Sequence, residues 1–349
     1  MGVLLVYSAC HRAKLLRYPV PAQRISLWLD EAMTNMSRVL KGPAEKVSSS
    51  CFVFAILIVA LEMVYHTKSG ASHNWTQYTE AARQIITTRE AIEPPQQELA
   101  GVLPFLARWF THMNLISGFT GGHVLMSAAE KLSAKYLVGV SACGDSVLHA
   151  DRSLALSMRC HFLLSSISDL LRLHGEEPVD LQQMTGSERA QSDSIIDRGH
   201  QLIRDFERAL ADSTIQQIVP PSLPHKQDSP DQPTLSLLNA AYHHAGILLL
   251  HRRLLRVPTS HPDVQTRVTS IMDCASRTKF GEACLMFPLF AAGCEAREEG
   301  QRDFFMKAIL RLETRGIVGA TRVRTLMSEN WMLEDKPPVV AHQTSESNK

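Results

Sequence analysis

Apolar residues recur at steps of three and four along most of this chain, the spacing that places them on one face of an α-helix. The first clear stripe is Ile25, Trp28, Leu29, Ala32, Met33, Met36, Val39 and Leu40; Pro21 can occupy its first turn and Gly42-Pro43 ends it. Asn74 can cap a second stripe of Trp75, Tyr78, Ala82, Ile85 and Ile86, which Pro94-Pro95 closes. Leu99, Leu103, Leu106, Phe110, Met113 and Ile116 continue the pattern, with Pro104 predicting a kink or a fresh start. It breaks at Gly118, Gly121 and Gly122. Beyond the break the same periodicity predicts helices over 123–137, 152–173, 188–212, 234–256, 262–277, 281–296, 301–315 and 319–333. We find no convincing run of alternating residues bounded by hairpin turns.

The expected fold is therefore all-α, an irregular multi-helix array of roughly ten to twelve helices. Residues 1–335 are expected to form one helical domain. Pro220, Pro221, Pro224, Pro230 and Pro233 mark 219–233 as a surface loop between its two halves. Pro337-Pro338 and the polar run after them make 336–349 a flexible tail. No repeat of fixed period stands out, which argues against a regular solenoid. Within 281–296, Cys284, Leu285, Phe287, Leu289 and Phe290 leave little polar surface, so this segment should be core, with Pro288 fixing a kink.

Charge removes one class of function. Lys plus Arg total 36 against 35 for Asp plus Glu. A free-standing DNA binder usually carries a clear basic excess, because phosphate neutralisation supplies much of its affinity. The seven cysteines, Cys10, Cys51, Cys143, Cys160, Cys274, Cys284 and Cys294, include no C-x-x-C pair and are odd in number, against a disulfide framework. Most sit among apolar neighbours and read as small hydrophobes. The apolar start, residues 2–9, lacks the basic region of a signal peptide, and Val6 stands where a myristoylation signal needs Ser or Thr. The apolar run over 51–65 is about fifteen residues, short of the roughly 20 that span a bilayer, and reads as a buried helix.

Candidate chemistry is sparse. Gly139, Ser141, Cys143 and Gly144 approach a nucleophile elbow, but that turn needs glycine where Cys143 stands and a strand before it. Gly118, Gly121 and Gly122 lack the spacing of a dinucleotide fingerprint and the Lys-Ser/Thr of a phosphate loop. His243, His244 and His251 share one helix, with His244 and His251 on nearly one face. Seven residues of helix separate those two too widely for one metal, so packing or exposure is expected. No H-E-x-x-H, E-x-x-H or adjacent aspartate pair occurs, against a zinc site, a carboxylate-bridged site or a terpene-cyclase type of metal motif. The basic run His251, Arg252, Arg253, Arg256 reads as cations complementing a helix C-terminus, the sharper alternative being a nuclear-import or acidic-partner patch. Arg311, Arg315, Arg322 and Arg324 admit the same two readings. No catalytic, cofactor-binding or metal residues are assigned and no cofactor is expected.

Several segments in order resemble the fungal-specific transcription factor domain, the regulatory half of zinc binuclear-cluster transcription factors. They are Lys14 to Tyr18 leading into the Trp28 helix, the apolar run over 51–65, Trp75 with the stretch from Tyr78 to Arg89, and PFLARWFTHMNLISG over 104–118. Later come the Arg-Arg-Leu-Leu run within 244–258 and GEACLMFPLFAAGCEA over 281–296. The resemblance covers residues 14–333 and implies a helical regulator of transcription, located in the nucleus, with the cytoplasm as alternative. The family pattern begins with six cysteines holding two zinc ions, and this sequence has no such cluster. Direct specific DNA recognition is therefore not expected, and reading the gene upstream would show whether its model is truncated. The implied partner is a DNA-bound transcription factor or co-regulator protein; a small-molecule effector and a homodimer stay open, and no membrane contact is expected. An all-helical enzyme or scaffold of fungal secondary metabolism is the alternative reading.

Overall fold

The computed structural model describes residues 2–40, 112, 115, 156–174, 186–216, 232–278, 283–317 and 319–335. Among them run nine α-helices: α1 (Gly2–Leu15), α2 (Ala22–Leu40), α3 (Met158–His174), α4 (Gly186–Gln216), α5 (Gln232–Leu249), α6 (Pro262–Arg277), α7 (Met286–Cys294), α8 (Glu299–Thr314) and α9 (Gly319–Glu334). No strand occurs among the described residues, and the fold is all-α. The expected helix over 123–137, the apolar run over 51–65, the Trp75 stripe, the glycine break at 118–122, the Gly139–Gly144 motif, most of the proline loop and the tail all lie outside the described residues. Of the segment before the break, His112 and Leu115 are described; both are helical and buried, and neither belongs to the expected stripe, whose members lie outside the described residues.

The array is organised around α5. Leu235, Leu238, Ala241, Tyr242, Ala245, Ile247 and Leu248 are buried, and so are Thr234, Asn239 and His243 on its other sides. A helix buried nearly all round is a central one, and α3, α4, α6 and α7 all pack on it. Close approach is possible because Gly246 has no side chain. A Cβ there would stand 2.6 Å from the Phe206 ring of α4 and 3.2 Å from Leu164 of α3. Both neighbours are fully buried and cannot give way. Through α7 the core continues to α8 and α9, where Phe305, Ile309, Leu312, Ala320 and Met327 are buried.

The helices depart from the expected pattern at four places. Residues 2–15 form a helix, α1, that pairs with α2 through Val6, Cys10 and Ala13. The helix expected over 234–256 begins at Gln232, so Pro233 sits in its first turn, where a missing N–H loses nothing. Its α-geometry stops at Leu249; a π turn, Leu250–Leu254, follows, and Arg256 then takes a left-handed φ of 52°. Pro258 excludes helical geometry for Val257, so the chain must leave the helix here. The helix expected over 281–296 is a 3-10 turn, Ala283–Leu285, followed by α7. Pro288 therefore lies in the first turn of α7 and makes no mid-helix kink, because an N–H there has no intrahelical partner to lose.

By contrast, α6 keeps the expected bounds. His261 precedes it in extended geometry and its Nδ1 accepts the Asp263 backbone N–H at 3.2 Å. Pro262 then supplies the first helical residue, where its fixed φ is already helical. Between α8 and α9, Gly316 adopts φ +83°, and the Ile317 N–H reaches back to the Leu312 carbonyl. A side chain is strained in that conformation. A Cβ on Gly316 would also press on His11 and Leu15 of α1, each at 3.2 Å.

Candidate functional site

Polar groups gather at two places around α5. The first is where the π turn meets the ends of α6, α7 and α8. Arg252 donates Nε–H to Glu295 Oε2 at 2.6 Å and Nη1–H to the Val257 carbonyl at 2.5 Å. The Thr259 hydroxyl donates to the same Glu295 oxygen at 2.8 Å. Gln265 Nε2 donates to the carbonyls of Thr259 and Glu295, and Gln301 Nε2 donates to Gln265 Oε1. Gln301 Oε1 in turn accepts the backbone N–H groups of Arg297 and Glu298 at the start of α8. Burial pushes the Glu295 carboxyl pKa up, and the bonds from Thr259 and Arg252 pull against that rise. Removing the carboxylate would strand a largely buried guanidinium, a loss on the order of 3 kcal/mol. Every partner in this cluster is internal, so the geometry is that of a fastening between helices.

A second set of bonds fixes the C-terminus of α7. Trp331 Nε1–H donates to the Gly293 carbonyl at 2.8 Å, Asn330 to Cys294 at 2.7 Å and Arg302 Nε–H to Ala296 at 3.0 Å. Arg302 also stacks over the Trp331 ring and grips Asp335 with two donors. These side chains satisfy carbonyls that the end of a helix leaves without partners.

The other gathering is a band of buried rings. Tyr242 donates its hydroxyl proton to the Cys284 carbonyl at 2.6 Å and stands 3.4 Å from His112 Nε2. Phe287 stacks on the Tyr242 ring at 6.0 Å between centroids. His243 holds the Asn239 carbonyl through Nδ1 at 2.8 Å and meets Phe206 edge to face. Burial drives the His112 pKa down to about 3, helped by His161 nearby, and that of His243 down to about 4. His244 is lowered to about 4 by burial and the Arg267 guanidinium, and His251 is lowered by burial first and by Arg267. Neutral imidazoles in this setting are packing elements.

His244 and His251 thus face one arginine of α6, which pairs with Glu207 of α4, and His243 points into the core. Among the described residues no group of three His, Cys, Asp or Glu is placed to hold a metal. Of the basic run after His251, Arg252 is turned inward onto Glu295, whereas Arg256 is exposed. Arg324 pairs with Glu313 of α8 at 2.9 Å. Cys10, Cys160, Cys274, Cys284 and Cys294 are free thiols. Burial raises the pKa of Cys10 and Cys274 to about 11 and of Cys294 to about 12, away from thiolate reactivity. Sequence reasoning missed the Glu295 node and the Trp331 cap. Only the Glu298-x-x-Gln301 spacing hinted at either, as the signature of a helix start.

With a helical array and no assembled catalytic constellation among the described residues, family comparison decides the class. The profile described as "Fungal specific transcription factor domain" matches residues 1–343. The chain belongs to that family. No curated protein and no solved structure matches it. Membership of the fungal-specific transcription factor domain family makes transcription regulation the functional class of this chain, and the family is not one of enzymes. The Arg252–Glu295 node and the α7 cap then read as the means by which a member of this family holds its C-terminal helices together. No helix among the described residues is long and apolar enough to cross a membrane.

Proposed function

We propose that this chain regulates transcription in the nucleus by protein contacts, borrowing the DNA-binding activity of a partner. The observation that carries the reading is the family match over 1–343 in a sequence whose net charge is +1 and whose cysteines include no C-x-x-C pair. The described cysteines support it physically. Cys10, Cys160 and Cys274 are buried on three different helices with raised pKa values, which suits apolar packing and not zinc ligation.

Purified alone at physiological salt, the chain is expected to leave no sequence-specific footprint on promoters of genes that change when it is deleted. Addition of nuclear extract from the same cells should create one. A footprint from the chain alone, or transcripts unchanged by deletion, would overturn the proposal.

A further inference from the structure

One hydroxyl of the polar node lies in the segment that joins the π turn to α6. Arg256, with its left-handed φ of 52°, turns the chain out of helical geometry, and 256–261 contain neither helix nor strand. The His261 N–H donates to the Pro258 carbonyl at 2.9 Å and closes a turn with Thr259 and Ser260 at its centre. Arg256, Pro258 and Ser260 are exposed, and Thr259 is half-buried. Arg256 stands three residues before Thr259, with Arg252 and Arg253 further upstream. The Thr259 hydroxyl donates to Glu295 Oε2 at 2.8 Å, and its oxygen is 3.4 Å from Glu334 Oε1. An acceptor with a cation ahead of it in sequence therefore sits between two carboxylates in space.

We propose that Thr259 is a phosphorylation site for a protein kinase that reads arginine ahead of its acceptor, and that the phosphate opens the Arg252–Glu295 node. In the step the Thr259 oxygen takes the terminal phosphoryl group of a nucleoside triphosphate. The bond to the bridging oxygen breaks, the diphosphate leaves and the hydroxyl proton passes to the kinase's base. Kinases choose substrates by charge pattern, and this turn holds the cation and the acceptor on one short irregular segment. Phosphothreonine carries about −1.5 to −2 charge at pH 7. The proton that Thr259 shared with Glu295 is gone, and the new charge stands beside Glu295 and Glu334. Burial and Glu334 already disfavour the ionised Glu295 carboxyl. Arg252, the cation bonded to Glu295 among the described residues, also holds the Val257 carbonyl and cannot offset two carboxylates and a phosphate. Repulsion of like charges then separates the turn from the end of α7. This opening does not depend on the regulator reading and is measured without it.

The test incubates the folded full chain with ATP and an arginine-directed protein kinase and maps the label by mass spectrometry. Phosphate should appear on Thr259. Ser260→Ala should be labelled as fast as the wild type, and Arg256→Gly at least about tenfold more slowly. Glycine suits the left-handed backbone at this position, so the variant removes the cation and keeps the turn. Amide hydrogen exchange is then compared at Val257, His261, Arg297 and Glu298, whose N–H groups are bonded in and around the node. Phosphorylation should speed it about tenfold or more. Thr259→Ala loses the same bond without gaining charge and should show a smaller rise. No label on Thr259 in the folded chain, or label on Ser260 in its place, would overturn the proposal. So would exchange that is unchanged after phosphorylation, or slower, since slower exchange would mean that the arginines capture the phosphate and tighten the node.

Discussion

Phe287→Asp is expected to leave no soluble protein. Phe287 is 7% exposed, packs flat on Tyr242 and belongs to α7, which touches α5, α6, α8 and α9. The substitution removes the ring and puts a carboxylate beside groups already committed. Tyr242 already donates its hydroxyl proton to the Cys284 carbonyl. Loss of a buried phenyl group costs about 3–5 kcal/mol and an unpaired carboxylate several more, together of the order of a domain's whole stability. Phe287→Leu keeps the site apolar and should lower stability by only about 1–2 kcal/mol. Comparison of soluble yield and urea midpoint for the pair checks the claim. A soluble Asp variant with an unchanged midpoint would mean that α7 is a surface helix.

Lowering the pH from 7 to 4.5 is expected to destabilise the chain steeply. The folded pKa values of His243 and His112, about 4 and about 3, lie below the ordinary 6.5. Over that interval the unfolded chain binds more protons than the folded one. Stability is therefore complete above pH 6.5 and falls as the pH drops toward the folded values. For His243 alone the full loss is about 3 kcal/mol, at about 1.4 kcal/mol per pH unit. His244 moves in the same direction. Urea midpoints between pH 7.5 and 4.5 should show the decline, and His243→Phe should flatten it. A midpoint constant down to pH 5 would indicate that these rings are solvated.

Where local chemistry decides an element, it was legible in the sequence. The bounds of α6 follow from Pro262 and the polar residues around it, and the all-α class from the repeated three-four spacing. The α1 helix was harder to see because Leu4, Leu5 and Leu15 on its outer face mask the Val6, Cys10, Ala13 stripe on its inner one. No local signal marks the π turn at Leu250–Leu254. It is set by tertiary demands, with Leu254 packed near Gly199 of α4 and Arg252 held by Glu295, 43 residues away in sequence. The polar node had the same obstacle. Its members come from the π turn (Arg252), α6 (Gln265), α8 (Gln301) and two connections (Thr259 and Glu295), and share no motif. Conversely, the histidines that drew notice by clustering in sequence are divided by the helix between the core and Arg267.

Transcription regulation through protein contacts is tested most directly by fusing the full chain to a heterologous DNA-binding module and measuring a reporter that carries only that module's sites. The account predicts that the fusion changes reporter output relative to the module alone, in either direction, and that Phe287→Asp abolishes the change. A fusion that is expressed, folded and nuclear, yet leaves the reporter at the level of the module alone, would contradict it.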